Sequence, residues 1–477
     1  MQRIGFWLGS GLCLVMLLLS PPEGLSLAGW RTAAVALLMA VWWFTEAVPV
    51  TLTGSLPFLL LPLLGVAKPD AVASQYMTPV LFLVLGGALI GAAFEKWDLH
   101  RRVALAVLSR TSPNPSRLLF AMLAVTSFVS MWVNNSATTV MMLPIAGAVL
   151  AAVTRVRGGP DADVDTRRFA AAMVLAVAFG SNIGGFATPI GTPVNPVAIG
   201  ILQRTLGVEI SFLQWMMFGV PIAAAAIPVV WWLLARVALR FDLPAVPAAE
   251  VAAAIGAPGP MGPPERRVLT VVALTSSAWV FLPLLTDLIP GLTDAGIAVA
   301  AALLLCVMPA GDPRPVPRGR FLIEWSDARQ APWYLILLLG GGLALADSVV
   351  KTGLSGWLGT ALSGLSALPL PLLIALVVAL CIAVTECASN VATATAFMPV
   401  AATLAATGSN DAAVLALAAG LAASWGFANP AGTSSNAMTL ATGNVTVPQM
   451  IRAGLLVDLV GIALIAAACA TIVPELR

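Results

Sequence analysis

Apolar runs of about twenty residues recur along the whole chain, each long enough to cross the hydrocarbon core of a bilayer as an α-helix. Eleven are read as spans, near residues 4–20, 29–48, 51–67, 78–95, 169–203, 213–235, 267–286, 294–309, 332–350, 412–443 and 449–473. Segments of about ten residues with alternating polarity, the mark of a membrane β-barrel, are absent. Two further apolar segments, 118–154 and 369–406, each carry a polar motif near the middle and are long enough to enter a membrane, turn and return.

The two motifs are copies. The first reads Asn134-Asn135-Ser136-Ala137-Thr138 with Pro144 following, and the second Ser389-Asn390-Val391-Ala392-Thr393 with Pro399 following. They lie 255 residues apart, and the same offset carries Gly86-Gly87 onto Gly341-Gly342, Lys96 onto Lys351 and Leu99 onto Leu354. A second polar break follows each copy inside an apolar span. One is Thr188-Pro189-Ile190-Gly191-Thr192-Pro193-Val194-Asn195-Pro196, the other Asn429-Pro430-Ala431-Gly432-Thr433-Ser434-Ser435-Asn436. Gly191, Thr192 and Asn195 map onto Gly432, Thr433 and Asn436 at an offset of 241. The stretch Arg155–Arg168, 14 residues with no counterpart in the second copy, accounts for the change. Proline and glycine here interrupt helical hydrogen bonding and leave backbone groups free.

Charge gives the orientation. With the N-terminus in the cytoplasm, all but five of the 24 Lys and Arg (Arg31, Lys68, Arg204, Lys351 and Arg477) fall at cytoplasmic ends, and the C-terminus lies outside. This places both ends of 118–154 inside and both ends of 369–406 outside. One re-entrant hairpin thus enters from each face, the signature of inverted-topology repeats whose broken helices meet near the midplane. Non-helical backbone at that depth must be buried in protein or line a cavity.

Composition supports the membrane class: 59% of the 477 residues are apolar and 10% charged, with a mean hydropathy of +0.96. The expected setting is the cell (inner) membrane, with the lipid bilayer as partner and no nucleic acid. Arg3 and the apolar run after it resemble a signal peptide, but the charge pattern requires a retained first helix. The five cysteines lie in apolar segments without metal-ligand spacing and are read as buried, inert thiols. His100, the one histidine, sits in a cytoplasmic loop, which leaves Ser136 or Ser389 with Glu386 as the one conceivable base and argues against an enzyme.

The motifs supply amides, hydroxyls and exposed backbone but no cation. Half-helix N-termini favour anions, and freed carbonyls with Asn oxygens suit Na⁺. A bound Na⁺ would provide the missing positive charge. Glu386, beside the second tip, is a candidate functional group or a structural partner of nearby backbone. Glu46, Asp347 and Asp458 are read as structural, and Trp7, Trp30, Trp42, Trp43 and Trp333 as interfacial anchors.

Over nearly its whole length the chain resembles the divalent anion/sodium symporters, carriers of dicarboxylates, citrate and sulfate. The resemblance rests on Met131–Thr139, Thr188–Pro193, Thr385–Asn390, Gly432–Asn436, Glu95–His100 and the early Trp-Trp-x-Thr-Glu-Ala segment. It implies that Asn134, Asn135 and Ser136 meet one carboxylate and Ser389, Asn390 and Val391 the other, with Thr192, Pro193 and Thr433 lining the same cavity. It implies one sodium at Ser130, Asn134, Asn135 and Gly191, and a second at Thr385, Ala388, Asn390 and Gly432, with no organic cofactor. It also implies a homodimer and an elevator, in which a hairpin-bearing transport domain slides against a scaffold. The domains expected are scaffold helices (1–77), a first repeat (78–205) with its hairpin 118–154 and broken helix 169–203, scaffold helices and loops (206–331), and a second repeat (332–477) with its hairpin 369–406 and broken helix 412–443.

The family has Ser-Asn-Thr at both tips. Here Asn134 replaces the first serine and Val391 the last threonine, so the half-sites are unequal. A lost hydrogen bond to a charged group is worth about 1.5–3 kcal/mol. The absence of Lys, Arg and His from the tips and breaks favours sodium coupling. The function expected is sodium-coupled import of di- or tricarboxylates (the succinate, malate and citrate class). The alternatives are a sulfate carrier or a sodium-independent dicarboxylate exchanger of the same fold and, more remotely, a channel with re-entrant filter loops.

Overall fold

The structure, a computed structural model, describes residues 2–156, 163–256, 259–312, 314, 318–361, 368–404, 411–430 and 432–471. Arg157, Ala431, Arg477, part of the 155–168 insertion and the end of the 369–406 segment lie outside these residues. The described chain is helical, with one isolated β-bridge between Pro309 and Phe321. It is an integral membrane protein. Six helices are long and apolar enough to cross a bilayer, or eight if two bent pairs each count as one span. The bent pairs are Pro263–Val280 with Leu282–Leu288, turning by 82°, and Leu335–Lys351 with Leu354–Ala361, turning by 72°.

Both polar motifs break their segments. The first segment consists of Pro115–Ser130 and Asn135–Val156, the second of Leu370–Thr385 and Asn390–Leu404, and in each the two arms pack on one another. The arm Asn135–Val156 is by itself long and apolar enough to cross. Capping explains where the first break ends. Asn134 stands at the N-cap and its side-chain oxygen accepts from Ala137 N–H at 2.9 Å, satisfying a donor with no intrahelical acceptor. The other two predicted breaks also occur. Val164–Phe186 is followed by Val194–Leu206, and Asp411–Ala423 by Ser434–Ala441.

Val164–Phe186 forms the centre of the molecule. It is buried almost all round, as a helix apolar on every side must be. Its small residues admit close neighbours, and a Cβ at Gly184 would overlap the Ser127 carbonyl. Close backbone approach at small residues is how helices associate where lipid offers no hydrophobic drive. Outer helices expose large side chains such as Phe58, Leu63, Trp232 and Leu459, a surface suited to lipid.

Candidate substrate and cation site

The four breaks converge on one cavity of about 750 Å³. Asn134, Asn135, Ser136, Thr192, Pro193, Ser389, Asn390, Val391 and Thr433 all line it, as do Ala388 and Gly432. Four helices begin there, at Asn135, Val194, Asn390 and Ser434. Their first-turn N–H groups have no intrahelical acceptors and the helix dipoles place partial positive charge at the same ends. The wall is therefore anion-seeking without a basic side chain. Lys96 lines an adjoining cavity of about 400 Å³ that shares Asn134, Thr192 and Pro193, and there its charge is paired with Asp327 at 2.6 Å.

The repeats build the site with matching bonds. The Asn135 amide is hydrogen-bonded to Ser130 Oγ at 3.0 Å, and the Thr385 hydroxyl donates to Asn390 Oδ1 at 2.9 Å. Asn195 Nδ2 donates to the carbonyls of Gly185 and Thr188 at 2.9 and 2.6 Å, and Asn436 Nδ2 to those of Phe427 and Asn429 at 3.2 and 3.1 Å. Both asparagines are buried, so each staples its own broken loop. Thr188 Oγ1 donates to Met131 O at 2.6 Å, and Asn429 Nδ2 to Glu386 O at 2.6 Å. Each break is thereby tied to the tip of its own repeat.

Beside each tip lies a cluster of oxygens around an asparagine amide. The Asn135 amide stands 3.0 Å from Ser130 Oγ, 3.0 Å from Ser181 O and 3.2 Å from Gly191 O, with its Nδ2 turned to donate to the two carbonyls. Glycine makes room here, since a Cβ at Gly185 would overlap the Asn135 amide. In the second cluster Thr385 Oγ1, with one proton, faces both Asn390 Oδ1 and Ala423 O, at 2.9 and 2.8 Å. Ser130 Oγ, Ser181 O and Gly191 O in the first cluster, and Thr385 Oγ1, Asn390 Oδ1 and Ala423 O in the second, are hard oxygens of the kind that suit Na⁺. Ser130, Asn135 and Gly191 are thus together, as are Thr385 and Asn390. Asn134, Ala388 and Gly432 stand on the cavity wall rather than in the described contacts of these clusters. The carbonyls of Ser181 and Ala423 were not legible as partners in the sequence.

Several expectations are corrected. Cys387 is exposed on the cavity wall, because it falls in the break rather than in a helix. Trp43 is buried and donates to Val50 O at 3.1 Å, so it packs inside rather than anchoring at an interface. His100 is buried in the first turn of Leu99–Leu108. Glu46, at the end of Leu27–Thr45, is exposed on the cavity wall. Glu386 takes its structural role: its carboxylate accepts from Ala428 N–H at 2.8 Å and from Asn429 N–H at 2.5 Å, holding the second break. Asp347 pairs with Lys351 one turn on, and Asp458 is buried in the last helix. Ser434, Ser435 and Asn182 also line the cavity and were missed. The 241-residue offset, extended by two positions, would have flagged both serines.

Amides, hydroxyls and helix N-termini thus face the cavity of a helical membrane protein. A family model described as the sodium:sulfate symporter transmembrane region matches residues 9–474. The chain belongs to this family, the divalent anion/sodium symporters. It is 34% identical over 479 residues to the sodium-dependent dicarboxylate transporter SdcS of Staphylococcus saprophyticus, covering 99% of this chain and 92% of the relative. It is 33% identical over 464 residues to the SdcS of Staphylococcus aureus USA300, covering 96% and 89%. Among solved structures, the YdaH transporter of Alcanivorax borkumensis matches with a TM-score of 0.58 at 15% identity, over 91% of this chain and 98% of that one. That likeness is one of fold.

Proposed function

We propose that the protein imports di- and tricarboxylates coupled to Na⁺. The observation that carries this is the pairing of an anion-seeking cavity with two clusters of hard oxygens, one at each of the asparagines that face it, Asn135 and Asn390. An ion in either cluster would fix an amide that faces substrate, which links the two binding events. The names of the SdcS relatives support both the ion and the substrate class. Asn134, Asn135 and Ser136 would bind one carboxylate and Ser389, Asn390 and Val391 the other, with Thr192, Pro193 and Thr433 between. Ser130, Asn135 and Gly191 would hold one sodium and Thr385 and Asn390 a second, with Asn134, Ala388 and Gly432 closing the sites. When bound, Na⁺ supplies the positive charge that the wall lacks.

The two helix–break–helix pairs act as re-entrant hairpins of opposite entry and, with the broken helices, form the transport domain of an elevator in a homodimer. Gln2, Glu46 and Gln330 line the cavity, and the charge pattern assigns these positions to the cytoplasmic side, which supports an inward-open form. The test is uptake into liposomes of labelled succinate, malate, citrate, 2-oxoglutarate, tartrate and sulfate. It is run with an inward Na⁺ gradient, without one, and with internal counter-anion. Dicarboxylate uptake driven by Na⁺ is expected. Uptake that ignores Na⁺ and needs internal anion would make the protein an exchanger, and uptake of sulfate alone a sulfate carrier.

A further inference from the structure

The cavity has two poles, and three hydroxyls of the first have no counterpart in the second. The repeats exchange partners. The arm Asn135–Val156 of the first repeat packs on Ser434–Ala441 of the second, and the arm Asn390–Leu404 of the second packs on Val194–Leu206 of the first. Each pole is therefore one tip facing the other repeat's break.

At the first pole Ser136 Oγ and Ser434 Oγ are hydrogen-bonded to each other across the repeats. Behind them Ser181 Oγ donates to Ser435 Oγ at 3.0 Å and Asn182 Nδ2 to Thr433 Oγ1 at 3.4 Å. The residues that correspond to Ser136, Ser434 and Ser435 in the other repeat are Val391, Pro193 and Val194. None carries a hydroxyl. The second pole keeps Ser389, Asn390 and Thr192 but presents a hydrocarbon edge where the first presents a pair of hydroxyls.

We infer that the carrier selects 2-hydroxy dicarboxylates, bound in one orientation, with the hydroxyl-bearing carbon at the Ser136–Ser434 pole and the unsubstituted carboxymethyl end against Val391 and Pro193. This rests on the dicarboxylate reading above. A serine hydroxyl both donates and accepts, so the pair can donate to a carboxylate and accept from the adjoining substrate hydroxyl. An unsubstituted chain would leave those groups facing a methylene. A hydroxyl turned to the other pole would meet Val391 and Pro193 in place of Ser136 and Ser434 and lose water partners that neither residue replaces. Because the orientation is fixed, the two enantiomers of one hydroxy acid are not equivalent.

The test is competition against Na⁺-driven uptake of labelled succinate in liposomes, with unlabelled L-malate, D-malate and succinate. One malate enantiomer is expected to compete roughly tenfold better than succinate and better than its mirror image. In Ser434→Ala the advantage of that enantiomer should fall to within about a factor of two of succinate. In Val391→Thr, which equips the second pole, the preference between enantiomers should shrink. Equal competition by all three compounds in the unmodified protein would overturn the inference while leaving the dicarboxylate reading intact. So would a Ser434→Ala variant that elutes and melts normally yet keeps the full preference. If neither succinate nor malate is taken up at all, the functional reading falls and this inference with it.

Discussion

Replacing Thr385 by valine should raise the Na⁺ requirement of transport without changing the shape of the site. Thr385 is fully buried, and its hydroxyl lies 2.9 Å from Asn390 Oδ1 and 2.8 Å from Ala423 O. Valine keeps the branched outline and removes the oxygen. If the cluster were only a hydrogen-bonded junction, the loss would be about 1 kcal/mol of stability. If it holds a cation, the hydroxyl contributes an interaction with a charge, worth about 1.5–3 kcal/mol. That range corresponds to a roughly 10- to 150-fold rise in the Na⁺ concentration for half-maximal uptake. The assay is initial uptake into liposomes across a Na⁺ titration at saturating dicarboxylate. Maximal rate should be recovered at high Na⁺. Ser130→Ala, the same change in the first repeat, should act in the same direction, since Ser130 Oγ stands 3.0 Å from the Asn135 amide. A well-folded Thr385→Val variant with an unaltered Na⁺ titration would refute the reasoning and reduce the cluster to packing.

Asn135→Ala and Asn390→Ala should each abolish uptake while elution and melting stay close to those of the unmodified protein; normal transport by either would displace the proposed site. Gly184→Ala should impair folding, because the new methyl overlaps the Ser127 carbonyl and overpacking costs about 1–3 kcal/mol; Gly147→Ala, with open space around it, should be neutral or gain about 0.5–1 kcal/mol, as melting temperatures in detergent will read. Burial holds the His100 imidazole below its ordinary pKa of 6.5. The unfolded chain therefore takes up this proton first as pH falls, so stability present above about pH 6.5 is lost toward the lower folded value, and His100→Gln should flatten melting temperature against pH in that window.

The sequence made the breaks legible because proline, glycine and a polar triplet inside an apolar run leave few alternatives. Asn134 caps where it was expected to turn the chain, and the 241-residue correspondence of Asn195 with Asn436 became a pair of equivalent staples. Backbone partners were not legible. Ser181 and Ala423 enter the oxygen clusters through carbonyls, which any residue possesses, so no side-chain pattern marks them. The exchange of partners between repeats was hidden for another reason. Ser136 and Ser434 are 298 positions apart, and only packing reveals that they touch. Glu386, left open in the sequence between a functional group and a partner of nearby backbone, accepts from two backbone N–H groups.

The strut from each break to its tip, Thr188 to Met131 O and Asn429 to Glu386 O, has a consequence for fidelity. A carrier leaks when its ion pocket can assemble and cross without cargo. On the proposed reading the strut couples each tip to the loop that carries Gly191 or Gly432, so the ion and cargo pockets would open and close as one piece. Cutting it with Thr188→Val would let them form separately, and the cost would surface as sodium slipping across the membrane with nothing aboard.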